Sequence, residues 1–422
     1  MEVKHGYKQT EVGVIPEDWE VDQLGTIAFL ERGKFTARPR NQPKFFGGDY
    51  SFIQTGDITN SNGNITTYTQ TLNAEGLRVS KLFPRDTLFF TIAANIGDVG
   101  IAAFETAATD SVIAISPKPR IEKRWLYHSL KKRKKIFEGL ATQNAQLNIN
   151  LEKLRPYSLA VPPLAEQRAI AGALSDVDAL LGVLDQLIAK KRDLKQAAMQ
   201  QLLTGQTRLP GFHGEWAVKR LGDLFNFSGG YSASRDQLSN EGHCYLHYGD
   251  IHGATKTFVD ARAEYQDIPK LNIPLKRVSS KSMLEDGDVV FVDASEDDEG
   301  TSRHVVVVNK DNIPFISGLH TIVAKSKTDE LAHQFRRYCF QMSAIRQQFL
   351  FYAVGTKVSG ISKTNIAKLT MPVPKAAEQT AIAEVLTDLD AELAALEQRR
   401  AKTRALKQGM MQELLTGRTR LV

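Results

Sequence analysis

LTGQTRL occupies residues 203–209 and LTGRTRL residues 415–421, so one seven-residue phrase, changed at a single position, returns 212 positions later in a chain of 422 residues. Extending the comparison outward, residues 165–209 laid over 377–421 agree at 28 of 45 positions without a gap. An identity of that size across a long ungapped stretch marks an internal duplication, which constrains the fold before any local pattern does. Further back, LAVP at 159–162 lies over MPVP at 371–374, and then the likeness fades. A second register runs at the front. Gln9, Thr10, Trp19, Val21, Leu24 and Gly25 fall 197 positions before Gln206, Thr207, Trp216, Val218, Leu221 and Gly222. Each unit therefore opens on a Gln-Thr start and a Trp-x-Val-x-x-Leu-Gly lead-in, continues through a variable block, and closes on a shared segment ending Leu-Thr-Gly-x-Thr-Arg-Leu.

The shared segments read as helices. No proline falls between Glu166 and Leu203, and apolar residues recur at Ile170, Leu174, Val177, Leu181, Leu184 and Ile188, with a matching series at Ile382, Leu386, Leu389, Leu393 and Leu396. Steps of three and four are heptad spacing. Pro162, Pro163 and Pro374 mark where each helix begins, and Gly205 and Gly417 stand where a left-handed C-cap is expected. A helix of about 38 residues is roughly 57 Å long. Its stripe is buried either on its own domain or against the other helix. A narrow stripe, interrupted at Gly172 and Gly182, favours pairing, and twofold-related units would make that pairing antiparallel.

The variable blocks carry short strand-like runs at 50–53, 87–92, 289–292 and 305–308, with turn signals at Asn62-Gly63 and Asp286-Gly287. Near the end of each, one amphipathic helix is predicted, at 125–140 and 331–349. The first would turn Leu126, Leu130, Ile136, Phe137 and Leu140 inward. Thr55-Gly56-Asp57-Ile58 beside Tyr248-Gly249-Asp250-Ile251, and Arg78-Val79-Ser80 beside Arg277-Val278-Ser279, suggest two versions of one fold. The expected class is α/β (α+β), with curved, mostly antiparallel sheets in two similar domains, separated by two long helices that pair as an antiparallel coiled coil in a pseudo-twofold repeat. Boundaries follow the repeat: a first domain over 1–160, a spacer helix within 161–205, a second domain over 206–372 and a second spacer helix within 373–422.

Composition excludes several classes. Charged residues at 24% and hydrophobic residues at 42% are ordinary for a folded domain, and no apolar run is long enough for a membrane span or resembles a signal peptide, so a cytoplasmic protein is expected. Two cysteines, Cys244 and Cys339, cannot make a disulfide framework or a cysteine-rich zinc site. A net charge of +6 is compatible with an acidic partner without naming one. No Walker lysine loop, His-Glu-x-x-His, Gly-x-Ser-x-Gly or Asn-Pro-Pro-Tyr motif occurs, so no catalytic residue is assigned. The run Glu296, Asp297, Asp298, Glu299 is contiguous and glycine-flanked, which favours a solvated loop over a metal site. His243 and His247 near Cys244 lie in a strand-like region, and no metal is expected. Candidate nucleic-acid contacts are Lys34, Arg38, Arg40 and Lys44 in the polar loop GKFTARPRNQPK, Lys131, Lys132 and Arg133 in the strongest basic cluster, Tyr231, Ser232 and Arg235 in SGGYSASR, and Arg303 with His304. For the basic cluster, the solvated face of a helix is an equal alternative.

The order of these features resembles the specificity subunit of type I restriction-modification systems over essentially the whole chain. Its carriers are VGVIPEDW at 12–19, NIGDVG at 95–100, Ala165-Glu166-Gln167, Ala377-Glu378-Gln379 and the two Leu-Leu-Thr-Gly endings. The resemblance implies two target recognition domains, each reading half of a split, asymmetric site in double-stranded DNA. It implies helices that set the unread spacer and dock two methyltransferase subunits, and through them restriction subunits. It also implies that this chain holds no cofactor, while S-adenosylmethionine, ATP and Mg belong to the partners. A diverged nuclease or methyltransferase and a DNA-independent scaffold are the competing readings.

Overall fold

The computed structural model describes residues 5–141, 148–254, 256–295, 302–355 and 359–421. Glu296, Asp297, Asp298 and Glu299 lie outside the described residues. Two long helices dominate, a first connector at Leu164–Leu203 and a second at Ala376–Leu414. At 40 and 39 residues each is about 60 Å long. Both stop where a glycine takes the left-handed backbone: Gly205 and Gly417 share a φ of 71°. The amides of Gly417 and Arg418 turn back onto the carbonyls of Leu414 and Glu413, satisfying acceptors the helix leaves open.

The chain divides into two compact units, one formed by 1–186 with 398–422 and the other by 187–397. Each connector thus gives half its length to each unit. In the first unit Asp178 pairs with Lys407, and Asp185 with Arg400 at 2.9 Å, so residue numbers fall on one helix as they rise on the other. In the second unit Lys191 pairs with Glu392 and Lys195 with Asp390 in the same sense. The helix halves are antiparallel. Ile170, Leu174, Leu184 and Ile188 are buried, while Val177 and Leu181 are half-buried; Ile382 and Leu386 are buried, while Leu389, Leu393 and Leu396 are half-buried. Ile170 and Leu174 join the core of the first block, and Ile382 and Leu386 that of the second. The apolar stripe therefore serves a domain core at the ends of the helix.

Among the described residues each block holds a five-stranded sheet, a four-stranded sheet and two-stranded pairings. In the first, the strands run Ala28–Arg32, Val112–Pro117, Leu88–Thr91, Val99–Ala102, Asn64–Ile65 in spatial order, antiparallel except for the last pair. In the second they run Phe225–Gly229, Thr321–Ser326, Val289–Val292, His304–Val308, Phe258–Asp260, again with only the last pair parallel. Central strands such as Leu88–Thr91 and Val289–Val292 are buried throughout, which explains continuous apolar runs where alternation would mark a half-exposed strand. A four-stranded sheet accompanies each. The Trp lead-in strand closes each block, Glu20–Gln23 pairing with Ser158–Val161 and Ala217–Arg220 with Thr370–Val373, directly before the connectors.

The single amphipathic helix expected in each block is two helices. Lys123–Lys132 and Lys134–Leu140 meet at Arg133, whose backbone leaves the helical region (φ −95°, ψ 11°). His333–Cys339 and Ser343–Tyr352 are separated by an extended Met342. The break re-aims the second segment. Phe137 is buried against Phe90 and Tyr157, whereas Ile136 and Leu140, placed on the inner face by a continuous helical period, are exposed.

Candidate nucleic-acid interface

The repeated words meet in space within each unit. In the first, the carboxylate of Glu166, wholly buried at the start of the first connector, accepts the Trp19 indole N–H at 2.9 Å and two N–H groups of Arg420 at 2.7 and 2.8 Å. Arg420 also donates to Asp18 at 2.7 Å. In the second, Glu378 accepts the Trp216 indole N–H at 3.0 Å and the Arg208 guanidinium at 2.7 Å. Each Thr-Arg-Leu ending thus closes on the Ala-Glu-Gln start of the other connector, beside the tryptophan of the lead-in. The paired carboxylates hold the Arg420 guanidinium above its ordinary pKa. The neighbouring glutamines act on backbone. Gln167 accepts the Glu122 amide and donates to the carbonyls of Arg120 and Pro162, and Gln379 accepts the Ala332 amide and donates to those of Glu330 and Pro374. Glu166, Gln167, Glu378 and Gln379 are all buried. Their recurrence as polar residues inside apolar helix starts was the available signal for this role.

Candidate loop residues sit on equivalent scaffolds with unlike fittings. Gly33 donates to the Val112 carbonyl at 2.8 Å, and a Cβ there would strike the Thr109 carbonyl at 2.1 Å. Gly230, 197 positions later, approaches the Gly318 carbonyl so closely that a Cβ would lie 1.8 Å from it. Only glycine allows either approach. Beyond these moorings the loops differ. Lys34, Arg38, Arg40 and Lys44 are exposed; Arg38 and Arg40 converge on Asp110, and Lys44 covers the Phe45 ring. In the second block Ser232 and Arg235 are exposed and Tyr231 is half-buried, with Arg235 paired to Asp250 at 3.1 Å. Asp57 and Asp250 occupy the same local device: each sits at the third position of a short helix, Thr55–Thr59 or Tyr248–His252, and accepts the N-cap amide. The Arg235–Asp250 pair stands at a cavity of about 580 Å³ lined by Tyr245, Phe258, Glu264 and Asp267.

The remaining candidates are more enclosed. Lys131 donates to the Tyr127 hydroxyl at 2.8 Å, Lys132 lies 3.5 Å from the Gln412 carbonyl, and Arg133 donates to the Ser129 carbonyl at 2.9 Å. All three are half-buried, and burial with Arg133 nearby pulls Lys132 down to about 8. Arg303 donates to the His252 carbonyl, and His304 is buried against Phe291 and Phe340. Burial lowers the pKa of His304 to about 4, so its imidazole is neutral near pH 7. The exposed residues of the two polar loops therefore offer donors to solvent more freely than Lys131, Lys132, Arg133 or His304. Among the described residues no group of three or more His, Cys, Asp or Glu is placed to hold a metal, and no helix is long and apolar enough to cross a membrane.

Residues 16–190 and 213–404 match the family described as the type I restriction modification DNA specificity domain. The chain belongs to the type I restriction-modification specificity family. Among relatives of this family, a protein provisionally named the type I restriction enzyme MjaX specificity subunit of Methanocaldococcus jannaschii is 27% identical, over 99% of this chain and 97% of its own. The MjaVIII specificity subunit of the same organism is 22% identical over 96% and 94%. The crystal structure of a type I restriction-modification S subunit from M. genitalium superposes with a TM-score of 0.58 at 15% identity, covering 98% of each chain. A chain from a structure of the type I R-M system gives 0.56 at 14% identity, covering 96% of this chain and 99% of that one. The fold class expected from the repeat is thereby established: two specificity domains of mixed α/β structure with long helices between them.

Two buried histidines make stability in this specificity protein pH-dependent. Burial, with Lys407 and Lys131 nearby, lowers the pKa of His128 to about 3, and that of His304 is about 4, against an ordinary value of 6.5. The folded state binds fewer protons than the unfolded one between those values. Stability is complete above about pH 6.5 and falls as the pH drops towards 4, at up to about 1.4 kcal/mol per pH unit for each group. Urea midpoints measured from pH 7 to pH 4.5 should decline, and His128→Phe should flatten the decline in the first unit. A midpoint independent of pH would show that neither imidazole is enclosed.

Proposed function

We propose that this chain is the DNA sequence-specificity subunit of a type I restriction-modification complex and carries no catalysis itself. Each variable block reads one part of a bipartite, asymmetric site in double-stranded DNA, and the connectors set the unread spacer. The shared segments receive two methyltransferase subunits, through which restriction subunits join in the cytoplasm. Adenine methylation with S-adenosylmethionine and ATP- and Mg-dependent cleavage belong to those partners. The observation that carries this reading is the pair of Trp-Glu-Arg stations. The chain builds one junction twice from the same words while mounting different polar loops on the same glycine moorings. Two equal junctions suit two copies of one partner, and two unlike loops suit two unlike DNA words. Phosphate contacts supply salt-sensitive affinity, and a few base contacts of about 1–3 kcal/mol each supply specificity.

Co-expression with the neighbouring methyltransferase, followed by incubation with a randomised DNA library and S-adenosylmethionine and sequencing of modified positions, tests the proposal. A two-part motif with a fixed gap and a methylated adenine in each part is expected. Stable association without sequence-selective methylation would favour the scaffold reading, and methylation by the single purified chain the enzyme reading.

Leu194 and Leu406, which correspond across the 212-residue repeat, are exposed at 52% and 60%. On the first connector Leu194 follows Leu180, Val183 and Leu187, which are exposed as well, and such exposed apolar side chains fit burial by a partner. Leu194→Glu with Leu406→Glu should weaken methyltransferase association at least tenfold while leaving the melting temperature of the isolated chain within about 2 °C, read by calorimetric titration and thermal melting. Unchanged association would remove these positions from the docking surface.

A further inference from the structure

Three arginines of the first block converge on one residue. Asp110 lies in the turn between the strands Thr106–Ala108 and Val112–Pro117. Its carboxylate accepts Arg40 at 2.7 Å and Arg38 at 3.4 Å, and its backbone carbonyl accepts Arg32. Arg38 is fixed further by donating to the carbonyls of Phe35 and Ala37 at 3.1 and 2.7 Å. The loop beneath is tied down as well. Ser80 donates its hydroxyl to the Lys34 carbonyl, the Thr36 amide bonds Val79, and Phe35 is buried among Phe45, Phe46 and Phe52. The side chains of Arg38 and Arg40 remain 57% and 49% exposed, whereas that of Asp110 is 18% exposed.

Ion pairs this exposed add little to stability, so folding alone does not account for the convergence. A single carboxylate cannot satisfy three guanidinium groups, and the cluster keeps a positive excess with planar N–H forks held in defined directions. Such forks match ligands that present two acceptors side by side. Among the described residues the second block lacks the device: the turn corresponding to 109–111 is Gly318-Leu319-His320, and Arg235 is held instead by Asp250. The arrangement is thus a fitting of the first recognition surface rather than of the shared scaffold.

We propose that Asp110 is a positioning residue for DNA reading by the first block. It orients Arg38 and Arg40 towards a paired acceptor on the duplex, either the O6 and N7 edge of guanine or a backbone phosphate, and restrains them from binding any phosphate that passes. This inference rests on the DNA-reading role proposed above. The test uses the full chain assembled with its methyltransferase subunits, the site obtained by methylation sequencing, and Asp110→Asn, with Glu138→Gln as a charge-matched control at an exposed position. With Asp110→Asn, affinity for random duplex should rise about threefold to tenfold and its salt dependence should steepen by one to two phosphate contacts, while the ratio of cognate to random affinity falls at least tenfold. Asp110→Glu should restore part of that ratio. Placing 7-deazaguanine in the cognate half-site separates the ligands: lost discrimination assigns the guanine edge, and retained discrimination assigns the phosphate. If the wild-type complex discriminates but Asp110→Asn leaves both ratio and salt slope unchanged, the positioning role is overturned. If the wild-type complex does not select any sequence, the DNA-reading role itself falls.

Discussion

Arg420→Ala should destabilise the first unit by about 3–5 kcal/mol, because it leaves the wholly buried Glu166 carboxylate with the Trp19 indole as its remaining side-chain donor among the described residues. For a unit of this size that corresponds to a fall in melting temperature of roughly 6–20 °C. Arg208→Ala should destabilise the second unit in the same direction through Glu378, beside the half-buried Trp216. Because each arginine acts in its own unit, hydrogen exchange followed by mass spectrometry should show protection lost around Trp19 for one variant and around Trp216 for the other. Adding Glu166→Gln to Arg420→Ala should recover about half the loss, since the amide keeps an acceptor for the indole without a stranded charge. The exposed pair Arg192–Glu397 gives the contrast: Arg192→Ala should cost less than about 1 kcal/mol. Equal effects of Arg192→Ala and Arg420→Ala would refute the station as a keystone of the fold.

The second large effect concerns the spacer. The two units part between 186 and 187 on the first connector and between 397 and 398 on the second. One heptad inserted at both points adds about 10 Å of helix and turns it by about 20° from a whole number of turns, so the apolar faces stay nearly in phase. If the connectors gauge the gap, methylation sequencing should return the same two DNA words separated by about three additional base pairs, at 3.4 Å per pair. Modification of the original site should then drop by more than a hundredfold. Retained methylation at the original spacing would mean that the gap is set elsewhere.

Much of this architecture is legible before any coordinates. The helix limits follow from proline and glycine at the duplicated ends, and the register of 197 that aligns Trp19 with Trp216 also aligns Gly33 with Gly230, two residues under the same steric demand. Helical periodicity failed where one dihedral decides the outcome. Met342 carries no turn signal, yet its extended backbone splits a helix, and the turn at Arg133 exposes Ile136. Charge clusters were the least legible feature. Lys131, Lys132 and Arg133 look solvent-directed in one dimension but are half-buried, and Asp110 lies some seventy positions from the arginines it gathers, a separation that no local pattern encodes.

The hydrogen bonds of Gln167 and Gln379 have a further consequence. Where they reach the variable blocks, their partners are the carbonyls of Arg120 and Glu330, which any amino acid supplies, and the amides of Glu122 and Ala332, which any except proline supplies. These four bonds are therefore indifferent to the side chains at those positions, unlike the bonds of Trp19 to Glu166 and of Tyr338 to Asp390, in which block side chains take part. A foreign block that brings its backbone to the same place and keeps the tryptophan lead-in would be received by the same bonds.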